Sequence, residues 1–352
     1  MLEKPELQDE LIISRLHDGY GLRIAGVAFL PLGADLNTAV YRVVADDGRQ
    51  HFLKLRRGVF DETAVAVPKF LSDRGIAQVM APIATRTQGL WTSLDALNLI
   101  LYPFIEGHSG FDVDLSDRQW VELGATLKSI HTTVLPSGLS RRVQQETYSP
   151  QWRDSVKTFQ ARIEGSAYND PVAAKLAAFL QTRREEIQFI VERAEQLGTT
   201  LQRQASEFVL CHADIHAGNV LIGANDELYI VDWDTSILAP KERDLMFVGG
   251  GVGGVWHEAR EEASFYQGYG KAEIDPVALA YYRYERIVQD IATTCEQIFL
   301  TAEGGEDREE GLQNLMSQFL PDNVVEIAHK SDKIVGSIDL PIANWQSELL
   351  KP

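Results

Sequence analysis

The stretch "LCHADIHAGNVLIGANDELYIVDWD", residues 210–234, decides how this chain is read. It follows the short apolar run "EFVL" (207–210) and contains a second apolar hairpin, and both read as strands. Between them lies a polar loop holding His212, Asp214, His216 and Asn219, while Asp232 and Asp234 close the returning strand. Loops held on rigid strands are where chemical groups concentrate. One Asp or Asn here reads as a turn cap; the group needs another explanation. Asp214 offers a carboxylate to orient a hydroxyl and accept its proton, with Asn219 and Asp232 as oxygen ligands for magnesium.

His-x-Asp-x-x-x-x-Asn, then Asp at the end of a hairpin, is the order of a kinase catalytic loop. The spacing therefore predicts phosphoryl transfer. His212 is expected to pack beneath the loop and His216 to hold it, neither as a metal ligand. Asp234 either assists the site electrostatically or caps the following turn.

Working outward, "AVYRVVADDGRQHFLKLR" (39–56) alternates on both sides of Asp47-Gly48, a hairpin turn pair. Leu53 and Leu55 point one way and Lys54 the other. "DETAVAVPKFLSDRG" (61–75) reads as a short helix interrupted by Pro68, and "LNLILYPFIEG" (97–107) as an apolar strand ending at Pro103. Helical signals then dominate, so the boundary is placed between residues 1–104 and 105–352. "SDRQWVELGATLKSIHTT" (116–133) has Ser116 as its cap. Val172, Leu176, Phe179, Leu180, Ile187, Ile190, Val191 and Leu197 predict one long amphipathic helix over 171–199.

Asp275-Pro276 opens a helix through "VALAYYRYERIVQDIATTCEQIF" (277–299). Its apolar face is Val277, Tyr281, Tyr284, Ile287, Val288, Ile291 and Ile298. Tyr282, Glu285 and Gln289 form another stripe, suited to an ammonium group or to plain solvation. Arg286 and Asp290 read as a solvated i,i+4 pair.

At 352 residues the chain is expected to form two lobes. No stretch approaches the ~20 apolar residues of a membrane span, and the acidic N-terminus is unlike a signal peptide, giving the expectation of a cytoplasmic protein. Cys211 and Cys295 are too few for a disulfide framework and sit among apolar neighbours. A formal charge of −18 argues against nucleic acid. It suits a cationic small molecule, or simply solubility. "GGGVGG" (249–254) satisfies G-x-G-x-x-G without a βαβ unit around it, and reads as a flexible connection beside the acceptor pocket. A protein kinase is disfavoured because "LAPKE" (238–242) follows Asp234 too closely for an activation segment.

The segments "LGADLNTAVYRV", "LKL", "YPFIEG", "LCHADIHAGNVLIG", "YIVDWD", "LAPKERDLMFVGGGVG" and "YYRYERIVQDIA" resemble the aminoglycoside phosphotransferase family, most closely its spectinomycin phosphotransferases. The resemblance implies an α+β, two-lobed, protein-kinase-like fold, with a small antiparallel-sheet N-lobe that binds nucleotide. The larger, mainly helical C-lobe would carry catalysis and the acceptor. It implies ATP (or GTP) and Mg2+ as cofactors and transfer of the γ-phosphate to a hydroxyl of a small cationic aminoglycoside or aminocyclitol. A metabolic kinase of choline, a sugar or an amino alcohol is the alternative on the same scaffold; monomer and dimer both stay open.

Carried over by position, the resemblance makes Asp214 the catalytic aspartate and Asn219 and Asp232 the magnesium ligands. Lys54 would hold the α- and β-phosphates with Glu62 as its ion-pair partner, and Gly33, Asn37 and Thr38 would belong to the loop covering the nucleotide. Pro103 through Ile105 would be the hinge at the adenine edge, and Asp244 would steady the catalytic loop. Asp234, Trp256, Tyr282 and Glu285 are the acceptor-site candidates.

Overall fold

The computed structural model describes residues 4–33, 37–165, 168–301 and 304–336. Helix α1 (Asp9–Tyr20) ends at Gly21, whose positive φ closes the last turn. Strands β1 (Ile24–Leu30), β2 (Thr38–Ala45) and β3 (Gln50–Arg57) follow, then helix α2 (Thr63–Asp73), β4 (Thr92–Leu94) and β5 (Leu97–Pro103). They form a five-stranded antiparallel sheet in the order β1-β2-β3-β5-β4. Gly48, at φ 82°, makes the turn between β2 and β3. Alternation sends Tyr41, Val43, Leu53, Leu55, Leu99 and Leu101 into one core with Ile12 and Leu16 of α1. The opposite face carries Val40, Lys54 and Ile100 side by side across three strands. Lys54 is therefore buried near the middle of a sheet, the first sign that its charge has a fixed use.

Helix α2 persists through Pro68 and buries Val67 and Leu71 in the larger core of the region that follows. That region contains β6 (Gly107–Ser109), α3 (Asp117–His131), α4 (Ser137–Ser140), β7 (Gln144–Gln145), α5 (Gln151–Ile163), α6 (Pro171–Thr182) and α7 (Arg184–Gln202). Next come β8 (Val209–Cys211), β9 (Val220–Gly223), β10 (Leu228–Ile230), β11 (Ile237–Ala239) and α8 (Glu242–Leu245). Helices α9 (Ala259–Tyr269), α10 (Pro276–Phe299), α11 (Gly305–Ser317) and α12 (Val324–Gly336) complete it. Two small sheets, β10-β9-β6 and β7-β11-β8, frame the loop at 212–219. The region is joined to the first sheet's connections where Met80 N and Ile230 N bond to Ile230 and Gln78 carbonyls, respectively.

Ser116 caps α3 through a capping box with Gln119, as its sequence predicts. The single helix expected over 171–199 is instead two, α6 and α7, broken at Arg183. The apolar spacing stays in phase across the break, so periodicity alone does not reveal it. The two-stripe reading of α10 also fails. This helix packs against α5, α6, α7, α8, α11 and α12, so Tyr282 and Glu285 are buried along with the face predicted to be apolar.

Helices α3 and α9 meet in close backbone contact through a glycine on each. A Cβ at Gly268 would lie 1.8 Å from the Val121 carbonyl oxygen, and one at Gly124 would lie 2.1 Å from that of Phe265. Neither obstacle is a side chain that can swing away. Gly268→Ala is therefore expected to cost about 3 kcal/mol through forced separation of the helices. An unchanged thermal midpoint in that variant would show that the crossing tolerates a methyl group.

Candidate active site

The loop between β8 and β9 owes its shape to Asp244 on α8. One carboxylate oxygen accepts from Ala213 N at 2.6 Å, the other from His212 N at 2.9 Å, and the second also meets His131 Nε2 at 2.9 Å. Burial alone would raise the Asp244 carboxyl, but the His131 contact and the backbone donors hold it below the usual carboxylate range. These bonds fix Ala213 at φ 68°, a left-handed conformation unfavourable for a residue with a Cβ. His212 is fully buried; its Nδ1 accepts from Asp214 N and its Nε2 lies 2.9 Å from the Val231 carbonyl. The loop is thus tied to its returning strand from below.

His216 receives Gly218 N at 3.0 Å and stacks on Phe111, holding the short 3-10 turn at 217–219. Asn219 donates its Nδ2 to the Asp214 carbonyl at 2.8 Å, which leaves its Oδ1 as the atom it can present. Val231 N in turn donates to the Asn219 carbonyl at 3.0 Å, bringing Asp232 beside the loop at φ 61°. The structure therefore brings together Asp214, Asn219 and Asp232.

Lys54 reaches this group from the sheet. Its Nζ donates to Asp232 Oδ1 at 2.8 Å and to Asp234 Oδ2 at 2.6 Å, and Arg56 Nη1 lies 2.8 Å from the same Asp234 oxygen. Burial pushes the Lys54 ammonium down, but Asp232 and Asp234 more than reverse this and hold it above its ordinary value. Burial and the neighbouring Asp232 charge push Asp234 up despite its two cations, whereas Lys54 keeps Asp232 below the usual range. Asp234 is thus a clasp for two cations, and Arg56 is a member of the site that was not among the predicted residues.

Asp214 has a second unforeseen neighbour. Arg286 Nη1 on α10 lies 2.5 Å from Asp214 Oδ1. Burial would raise this carboxyl, yet Arg286 and then His216 hold it far below the ordinary range. The i,i+4 contact with Asp290 is present at 3.0 Å, but it is largely buried rather than a solvated surface pair.

Several predicted contacts are absent. Glu62 does not meet Lys54. It precedes the first residue of α2, is half exposed and pairs with Arg142 at 2.7 Å, while Lys54 is already neutralised by two aspartates. Trp256 is buried edge-on against Trp120 at 4.9 Å rather than lining an open cleft. Tyr282 is buried beneath Arg243 at 5.4 Å. Glu285 is buried against Arg153, whose guanidinium also binds the Tyr148 and Ser149 carbonyls. Burial pushes the Glu285 carboxyl up to about 6 against the pull of that arginine.

Tyr282 and Glu285 belong to the interior around α10 and Trp256 to the packing against α3, so all three are buried in the core. Glu285→Ala is expected to lose about 3 kcal/mol of stability by stranding Arg153. At temperatures where the variant stays folded, its acceptor KM should be that of the wild type; a selective rise in KM would return Glu285 to the acceptor site.

Of the expected nucleotide-covering loop, residues 34–36 lie outside the described residues. Gly33 precedes them at φ 83°, the Asn37 carbonyl accepts from Arg57 N, and Thr38 opens β2 opposite Arg56. Pro103 ends β5 opposite His51, and Ile105 lies half-buried two residues on. The glycine run is a loop, with Gly249, Gly251, Gly253 and Gly254 all at positive φ, and α8 before it is only four residues long. Cys211 and Cys295 are buried, free thiols pushed up by burial. No helix among the described residues is long and apolar enough to cross a membrane.

The donor set at the loop, two carboxylates and a carboxamide oxygen, has the hard-oxygen chemistry that magnesium prefers. With a buried lysine opposite, the arrangement offers a place for polyanionic phosphate beside a fixed carboxylate.

The sequence pattern of the Phosphotransferase enzyme family matches residues 28–284. The chain is similar to spectinomycin phosphotransferase APH(9)-Ia, seen in a crystal structure in complex with ADP and spectinomycin. The two are 38% identical, over 94% of this chain and 100% of that one, with a TM-score of 0.87. The AMP-bound complex of that enzyme matches at 38% identity over 91% of this chain and 98% of that one, with a TM-score of 0.82. An aminoglycoside phosphotransferase from Alicyclobacillus acidocaldarius, 13% identical over 95% of this chain and 98% of that one, shares the fold at a TM-score of 0.60.

Proposed function

The chain belongs to the Phosphotransferase enzyme family, and from that premise we propose that it transfers the γ-phosphate of ATP to a hydroxyl of an aminocyclitol such as spectinomycin. Residues 1–104 would form the nucleotide-binding lobe and 105–352 the catalytic and acceptor-binding lobe. The observation that carries this reading is the convergence of Lys54 from the sheet onto Asp232, beside Asp214 and Asn219.

In this reading Lys54 exchanges aspartate contacts for the α- and β-phosphates, and Gly33, Asn37 and Thr38 cover them. Pro103 and Ile105 present their carbonyl and amide to the adenine edge. Asn219 and Asp232 would hold magnesium, whose positive charge would offset that of the phosphates. Asp214 orients the acceptor hydroxyl and takes up its proton as the oxygen bonds to phosphorus. A bond forms from that oxygen to the γ-phosphorus as the bond to the departing ADP oxygen breaks. Most of the acceleration comes from positioning and fixed charge, with no covalent enzyme intermediate.

The substrate assignment is supported by the identity of 38% to an enzyme crystallised with spectinomycin. An ADP-release assay over spectinomycin, other aminocyclitols, choline and ethanolamine, with growth of spectinomycin-challenged cells expressing the gene, tests it. Phosphorylated spectinomycin and protected cells are expected. Turnover with choline or ethanolamine alone would move the chain to the metabolic kinases.

A further inference from the structure

We propose that Arg286 is a positioning residue for the phosphoryl transfer, holding Asp214 in one orientation and linking it to the junction of α11 and α12. The inference rests on the reading of Asp214 given above, but its evidence is separate. Arg286 is largely buried, its guanidinium lies 5.6 Å from the Phe247 ring centroid, and it stands between two carboxylates. Nη1 meets Asp214 Oδ1 at 2.5 Å and Nε lies 3.0 Å from Asp290 Oδ1. The other Asp290 oxygen accepts from Gln318 Nε2 at 2.8 Å.

Four side chains thus run from the catalytic loop to the residue that follows α11. A carboxylate on a short side chain otherwise has a free torsion about its last bond. With Oδ1 engaged by a stacked planar cation, Asp214 Oδ2 has a fixed direction and is the oxygen left to take the acceptor hydroxyl. It also lies 3.4 Å from Asn219 Nδ2 and 3.6 Å from His216 Nε2. A rigid base or orienter is what transfer by positioning requires, where an ångström of misplacement costs about 10²-fold in rate.

Arg286→Met is expected to lower kcat by about 10² while nucleotide affinity and acceptor KM stay within about threefold, because the loss falls on orientation and not on binding. Arg286→Lys should recover part of the rate but not all, lacking the planar fork. Added methylguanidine should restore activity to Arg286→Ala.

A folded Arg286→Met enzyme with wild-type kcat would overturn the proposal. So would tighter acceptor binding, which would mean that Arg286 only occupies the place of a substrate cation. Should Arg286→Met fail to fold, Asp290→Asn decides, with an expected loss of about tenfold in kcat and an unchanged kcat counting against. Nitrogen NMR of the arginine side chains, with Arg286 assigned by its substitution, tests the contact without turnover: the Arg286 guanidinium should show slowed rotation in the wild type and lose it in Asp214→Asn. Free rotation in the wild type would reject the inference even if every acceptor in the panel proved wrong.

Discussion

Asp214→Asn is expected to reduce turnover by at least ~10²-fold while leaving nucleotide affinity nearly unchanged. The amide keeps the shape of the side chain, so the Asn219 contact to the Asp214 carbonyl and the loop geometry survive. What is lost is the negative charge that faces the hydroxyl, and with it half of the pairing to Arg286. Because that arginine keeps the carboxyl ionised far below neutral, the wild-type enzyme should owe none of its acid-side loss of activity near pH 6 to Asp214. Steady-state kinetics with calorimetric ATP binding on the same preparation separate the two quantities; equal turnover would remove Asp214 from the chemistry.

Asp232→Ala should be more damaging, with an expected fall of about 10³-fold, since several kilocalories of charge stabilisation depend on a metal ligand at such a site. The change has two consequences at once. On the proposed reading it withdraws a magnesium ligand, and it leaves Lys54 with Asp234 alone, a carboxylate already shared with Arg56. Asp232→Asn retains an oxygen and should fall less. Magnesium titration of the residual activity is the measurement that discriminates: a raised metal requirement is expected, and an unshifted curve would assign Asp232 to holding Lys54 only.

The grouping of the loop residues was legible because it is local. Asp214, Asn219 and Asp232 must share one turn and its returning hairpin, so their spacing survives in the sequence, and the alternation around Asp47-Gly48 set the facing of Lys54 in the same way. Arg286 was not legible, because its partner lies 72 positions earlier and a helical wheel reports only relative exposure. The wheel misled for Tyr282 and Glu285 as well, since it presumes one wet side and α10 has neighbours nearly all round. Glu62 is a different case: it was placed beside Lys54 by position in the resemblance alone, and in the structure it pairs with Arg142 while Lys54 meets Asp232 and Asp234. Arg56 shares a strand face with Lys54, and that two-residue spacing was the available clue.

The glycine crossing of α3 and α9 reaches further than the helices themselves. His131 is the last residue of α3 and Tyr269 the last of α9, and the two side chains meet at 2.7 Å directly above Asp244. The gauge of that distant joint therefore sets how firmly the keystone carboxylate seats the loop. Widening it by one methyl group should register at the reacting end of the molecule as well as in its melting.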